Sequence, residues 1–151
     1  MSNTRRVSAR GVVIMQDLQR RSCIALVHRI RPDGMHAGKM LDYYVTPGGG
    51  VEEGEHIPQA AEREVWEELG LHCRAGEEIF HRLDDTHDEH VLLCSVESGA
   101  FGTGDGPEFA DARPENGMYI PELIPLSELM RTALVPAELK TLLLERFCCD
   151  R

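Results

Sequence analysis

No stretch of this sequence approaches the roughly 18 consecutive apolar residues of a membrane-crossing helix. The segment Met1 to Arg10 is polar and lacks the apolar stretch of a secretory leader. No Cys-x-x-Cys spacing offers a zinc-ligand pair, and five cysteines are an awkward number for a disulfide framework. Cys23, Cys73 and Cys94 fall singly in strand-like segments, and Cys148 and Cys149 are adjacent. Ordinary core and tail thiols are the expectation. There is no repeat, low-complexity tract or linker. Basic charge is also scarce: 16 Lys and Arg oppose 26 Asp and Glu, for a net charge of −10. Gripping a nucleic-acid backbone by counterion release needs a basic face, so a nucleic-acid polymer is a disfavoured partner. Together these absences set the expectation of a soluble, cytoplasmic protein with no membrane partner.

What is present fits one domain, residues 1–151, with 42% hydrophobic residues to fill a core. Val7 to Met15 and Cys23 to His28 read as strands, and Arg29 to Asp42 as a charged loop. Tyr43 to Thr46 is a short strand stopped by Pro47 and followed by Gly48, Gly49 and Gly50. Ile57 to Leu69 is the clearest helix. Strand-like runs follow at Leu71 to Ala75, Ile79 to Leu83 and His90 to Glu97. Gly99 to Pro107 reads as a mobile, turn-rich loop. Tyr119 to Ile124 is a last strand, Ser127 is placed to cap a short helix over Glu128 to Met130, and Ala137 to Phe147 has helical spacing after Pro136. The order predicts an α/β or α+β sheet flanked by helices.

At about 100° per residue, Glu64, Glu67 and Glu68 share one face of the first helix. Ala61, Val65 and Leu69 occupy another, with Trp66 at its edge. Arg63 is one turn before Glu67 and can pair with it. Three carboxylates on one face repel each other, and Glu52, Glu53 and Glu55 add to the charge from the preceding loop. A solvated acidic face is the plain alternative. A divalent cation with hard oxygen ligands would relieve the repulsion directly and still present open positions to substrate phosphates. It would neutralise a diphosphate and lower the pKa of a bound water, whose proton a glutamate can take.

Gly49, Glu55, Arg63, Glu64, Val65, Glu67, Glu68, Gly70 and Leu71 fill every defined position of G-x5-E-x7-R-E-U-x-E-E-x-G-U, where U is bulky and apolar. In this the segment resembles the Nudix box, and the sequence is similar to MutT-like Nudix hydrolases. The resemblance implies an α/β/α sandwich around a central mixed sheet, with a loop-helix-loop catalytic motif. It implies hydrolysis of a phosphoanhydride bond in a nucleoside diphosphate linked to another moiety X, with Mg²⁺ or Mn²⁺. By position, Glu67 and Glu68 are the implied metal ligands, Glu64 a ligand or the general base, and Glu55 a support. Arg63 would orient the glutamates, and Gly49, or Gly48 beside it, would offer a carbonyl to the metal. A further carboxylate from outside the box is common in the family. Glu108 is the candidate, with Glu115 and Glu89 as rivals.

Other signals are weaker. His87 and His90 would point to opposite faces of a strand, and His28, His36, His56, His72 and His81 have no spacing partner. Tyr43, Tyr44 and Phe80 can stack on a base or pack in the structure. Arg29 and Arg31 follow a strand and can meet phosphate. Arg29 and Tyr44 are therefore the candidate substrate contacts. The subfamily marks of dinucleoside polyphosphate, ADP-ribose, NADH and CoA members are not found, which leaves a nucleoside tri- or diphosphate as the expected substrate. A non-catalytic nucleotide-binding module and an RNA-end pyrophosphohydrolase are the competing readings. A homodimer is a possible assembly.

Overall fold

The branched apolar run near the N-terminus forms β1, Arg6–Gln16. Val12 and Val13 are adjacent and both fully buried, one in each of two separate core clusters. Side chains alternate across a strand, so β1 is covered on both faces. The structure is a computed structural model that describes residues 5–106 and 117–148.

The other strands are β2 (Ser22–Pro32), β3 (Met40–Val45), β4 (Gly48–Gly50), β5 (Leu71–Leu83), β6 (His87–Gly99) and β7 (Met118–Pro125). The main order is β3-β2-β1-β6-β5, with β4 also on β1 and β7 also on β2. β1 and β6 run parallel, from Arg6↔His87 to Val13↔Cys94. The remaining pairs are antiparallel. The sheet is therefore mixed.

Helix α1 (Ile57–Leu69) covers one face, where Val65 and Leu69 pack with Val13, Ala25, Val27 and Cys94. On the other face, Leu129 from a 3₁₀ turn (Leu126–Arg131) and Leu139 and Leu143 from α2 (Ala137–Phe147) pack with Val12, Ile24, Leu26 and Val91. This is the expected α/β/α sandwich. Cys23, Cys73 and Cys94 are buried free thiols, and Cys149 lies outside the described residues.

Several boundaries differ from the sequence reading. Arg29 to Asp42 is mostly strand: β2 and β3 pair from Val27↔Val45 to Pro32↔Met40, leaving a connection of 33–39. Exposed charged residues at the end of a hairpin imitate a loop in sequence. The three glycines, assigned to no element from the sequence, pair as Ser8↔Gly50, Ala9↔Gly49 and Arg10↔Gly48 and so form β4. The two runs from Leu71 to Leu83 are one strand with register irregularities. Ser127 lies within the 3₁₀ turn, whose N-cap residue is Pro125.

The loop after β6 is docked against α1 rather than projecting freely. Gly102 N–H donates to Leu69 O at 2.8 Å, and Gly106 N–H donates to Glu67 O at 2.9 Å. Carbonyls at the end of a helix lack partners within it, and this loop supplies them. α1 ends on Gly70, in the left-handed region at φ 78°. A Cβ there would stand 2.8 Å from Ala100 O, so both the backbone angle and the close loop demand glycine.

Candidate active site

The local fold gathers the carboxylates around one guanidinium. Arg63 and Glu67 are one helical turn apart, and Arg63 Nη1 donates to Glu67 Oε2 at 2.8 Å and to Glu64 Oε1 at 3.0 Å. Its other edge grips Glu55 with two bonds: Nε to Oε2 at 2.9 Å and Nη2 to Oε1 at 3.1 Å. Nη2 also donates to Gly50 O at 3.0 Å, and Glu52 Oε1 lies 3.1 Å from Nε. A planar fork suits this arrangement, because its donors diverge toward several acceptors at once. The pairing with Glu55 is the main force holding the Arg63 pKa above its ordinary value, against the opposing cost of burial. In return, Arg63 holds the Glu55 carboxyl below the usual carboxylate range.

Glu68 turns toward the glycine strand. Its Oε2 accepts Gly48 N–H at 2.7 Å. A Cβ on Gly49 would stand 2.6 Å from Glu64 Oε1, so the glycine is what lets the Glu64 carboxylate lie against this backbone. Glu64 and Glu68 are 8% and 4% exposed, which counts against the alternative of a solvated acidic face. Four carboxylates, Glu52, Glu55, Glu64 and Glu67, lie within 3.1 Å of the guanidinium of Arg63, and Glu68 lies beside them on Gly48. Such a set of hard oxygen donors fits a divalent cation.

Beside this cluster lies a cavity of about 800 Å³, with Gly48, Gly49 and Glu68 in its lining. Glu89 also lines it. Glu89 is 6% exposed; its Oε2 pairs with Arg10 Nε at 2.9 Å, and its Oε1 is buried with no hydrogen-bond partner among the described residues. A buried carboxylate oxygen without a partner calls for an explanation, and a role as a cation ligand would be one. Glu108 and Glu115 lie outside the described residues. The sequence named Glu89 only as a rival, since the parallel register that carries it beside Ser8 is not a local signal.

Arg29 lines the cavity, with its guanidinium carbon 3.7 Å from the centroid of the Tyr119 ring. Of the adjacent tyrosines it is Tyr43 that lines the cavity. Tyr44 instead stacks on His28, with centroids 4.3 Å apart, and donates to Glu122 Oε1 at 3.1 Å. Burial and then Glu122 push its pKa up to about 12. Trp66 stacks on His72, as a packing residue would.

One further group was not legible in sequence. His81 and His90 face each other across β5 and β6, with ring centroids 4.2 Å apart. With Glu78 they form a cluster whose ligand atoms all lie within 4.8 Å, although each histidine is hydrogen-bonded to a carboxylate.

The fold and the loop-helix-loop with its Arg63-centred carboxylates define a class. The NUDIX domain matches residues 5–143, and the chain belongs to the NUDIX family. It is similar to an RNA pyrophosphohydrolase of Wolbachia pipientis, at 36% identity over 61 residues, which are 38% of this chain and 38% of the relative. It is also similar to diphosphoinositol polyphosphate phosphohydrolase 2 of Rattus norvegicus, at 40% identity over 57 residues, 36% of this chain and 32% of the relative. These matches thus span about a third of each relative's length. A crystal structure of an ADP-ribose pyrophosphatase from Streptococcus suis shares the fold, with a TM-score of 0.61 and 18% identity over 98% of this chain and 96% of that one. No helix among the described residues is long and apolar enough to cross a membrane.

Proposed function

We propose that the protein is a divalent-metal-dependent hydrolase that cleaves a phosphoanhydride bond in a nucleoside diphosphate linked to X, with nucleoside tri- or diphosphates as the substrates expected first. The observation that carries this reading is the crowd of carboxylates on Arg63 beside an open cavity. The names of the two curated relatives, both phosphohydrolases, support the same bond class.

Glu67, Glu68 and Glu64 would hold Mg²⁺ or Mn²⁺, with the Gly49 backbone carbonyl at the edge and Glu89 as the carboxylate from outside the box. When bound, the ion supplies charge neutralisation and a more acidic water. The protein's own part is positioning. Arg63 keeps Glu64 and Glu67 apart and aimed, and Glu55 holds Arg63 in place. Glu64 or a neighbouring glutamate accepts the proton of the attacking water. Pre-set carboxylates need little rearrangement as charge moves onto the leaving phosphate.

A second reading, the removal of pyrophosphate from RNA 5′ ends, is favoured by the Wolbachia relative and opposed by the net charge of −10. A non-catalytic binding module does not explain why every position of the carboxylate motif is retained. The test is phosphate release, coupled to inorganic pyrophosphatase, across canonical and oxidised nucleotides, nucleotide sugars, dinucleotides, ADP-ribose and triphosphorylated RNA. Turnover that requires Mg²⁺ or Mn²⁺ is expected. No turnover anywhere on that panel would move the assignment to a binding module.

A further inference from the structure

The sheet carries a second group of metal-ligating side chains, apart from the carboxylate helix. His81 on β5 and His90 on β6 are paired across the strands, and their rings stack with centroids 4.2 Å apart. The neighbouring pair, Arg82↔Glu89, lines the cavity. Successive side chains on a strand point to opposite faces, so the two histidines lie on the other face of the sheet from Arg82 and Glu89.

Two carboxylates hold the rings. Asp88 stands two residues before His90 and shares its face. Its Oδ1 lies 2.7 Å from His81 Nε2 and 2.9 Å from His90 Nε2. Glu78 Oε1 is hydrogen-bonded to His90 Nδ1. Glu78 and His81 are three residues apart, and a regular strand would send them to opposite faces. The register of β5 against β6 shifts between Glu78 and Phe80, and that irregularity turns both toward His90. Irregularities of this kind re-aim side chains and are over-represented next to active sites. One ligand atom from each of Glu78, His81 and His90 lies within 4.8 Å of the others.

We propose that Glu78, His81 and His90 form a second cation site, for a borderline divalent ion with Zn²⁺ as the type, separate from the site on α1. Imidazole nitrogen suits zinc, nickel and copper, whereas the all-oxygen set around Glu67 and Glu68 suits Mg²⁺ or Mn²⁺. With Nε2 of both rings on Asp88, the Nδ1 edge is the one that meets the ion, and Glu78 stands at that edge of His90. A carboxylate on the far nitrogen of a metal-bound histidine fixes the ring and strengthens it as a ligand. The charges of Glu78 and Asp88 balance one divalent ion. The Glu78 and His81 side chains are 42% and 38% exposed, which gives the ion a path from solvent, and His90 at 15% anchors the site in the sheet. Three protein ligands leave a fourth tetrahedral position to water. Bound there, the ion ties β5, at the end of the main strand order, to β6.

The test is calorimetric titration of the untagged, chelator-stripped full chain with Zn²⁺ in excess Mg²⁺. Phosphate release plays no part in the readout, so the outcome is independent of the hydrolase reading. The wild type is expected to bind one Zn²⁺. His81→Gln and Glu78→Gln should each weaken that binding by about tenfold or more. Both changes are on β5 and leave β6, which carries Glu89, unaltered; far-UV circular dichroism checks the fold of each. Glu67→Gln should bind Zn²⁺ as the wild type does. Zinc affinity in folded His81→Gln or Glu78→Gln equal to that of the wild type overturns the proposal, as does a wild type that binds no Zn²⁺. A loss in Glu67→Gln as large as that in His81→Gln overturns it too, because the ion would then be on α1.

Discussion

Arg63 Nη1 lies 2.8 Å from Glu67 Oε2, and the same nitrogen lies 3.0 Å from Glu64 Oε1. One guanidinium group thus bridges two carboxylates, one helical turn apart, that would otherwise repel each other. Its removal leaves that repulsion with no protein counter-charge. Arg63→Gln is expected to lower stability by about 2 kcal/mol, below the full cost of breaking a buried pair because Arg63 is part-exposed. Arg63→Lys should recover only part of this, since one ammonium cannot reach Glu55, Glu67 and Gly50 O together. Urea unfolding of the three proteins checks both; full recovery by lysine would contradict the fork geometry.

Gly70 serves the fold rather than the chemistry. Its positive φ and the 2.8 Å approach to Ala100 O both exclude a side chain. Gly70→Ala should cost about 1–3 kcal/mol and loosen the loop docked on Leu69 and Glu67. Hydrogen exchange would show this as faster exchange at Gly102 and Gly106. Unchanged exchange at those amides would contradict it.

His28 gives a pH dependence. Burial lowers its pKa, but hydrogen bonds to Asp42 and Glu122 outweigh that and raise it above the ordinary 6.5. A group with a raised folded-state pKa contributes stability fully below its unfolded value and loses it as pH rises through the folded value. The stability advantage of wild type over His28→Gln should therefore be greatest below pH 6.5 and shrink on the alkaline side. Chemical denaturation across that range measures it, and a difference that grew with pH would have the wrong sign.

The sequence made legible whatever depends on local spacing. The bounds of α1, the Arg63–Glu67 pair and the sharing of a face by Glu64 and Glu68 all follow from 3.6 residues per turn. What depends on pairing between distant strands was not legible. Tyr43 and Tyr44 look equivalent until β3 pairs with β2, and then alternation sends only Tyr43 to the cavity. Three glycines carry no side-chain pattern, so β4 is visible only through its partner β1. His81 and His90 meet because β5 and β6 are in register, and Glu89 reaches the cavity because β6 runs parallel to β1.

The central claim is that Glu67 and Glu68 hold the ion that makes phosphoanhydride hydrolysis possible. It is tested most directly by Mg²⁺-dependent phosphate release from a substrate of the wild type, measured for Glu67→Gln and Glu68→Gln, with urea unfolding as the control for fold. The account predicts folded variants with turnover reduced by about 100-fold or more. Turnover at the wild-type level in either folded variant would contradict it.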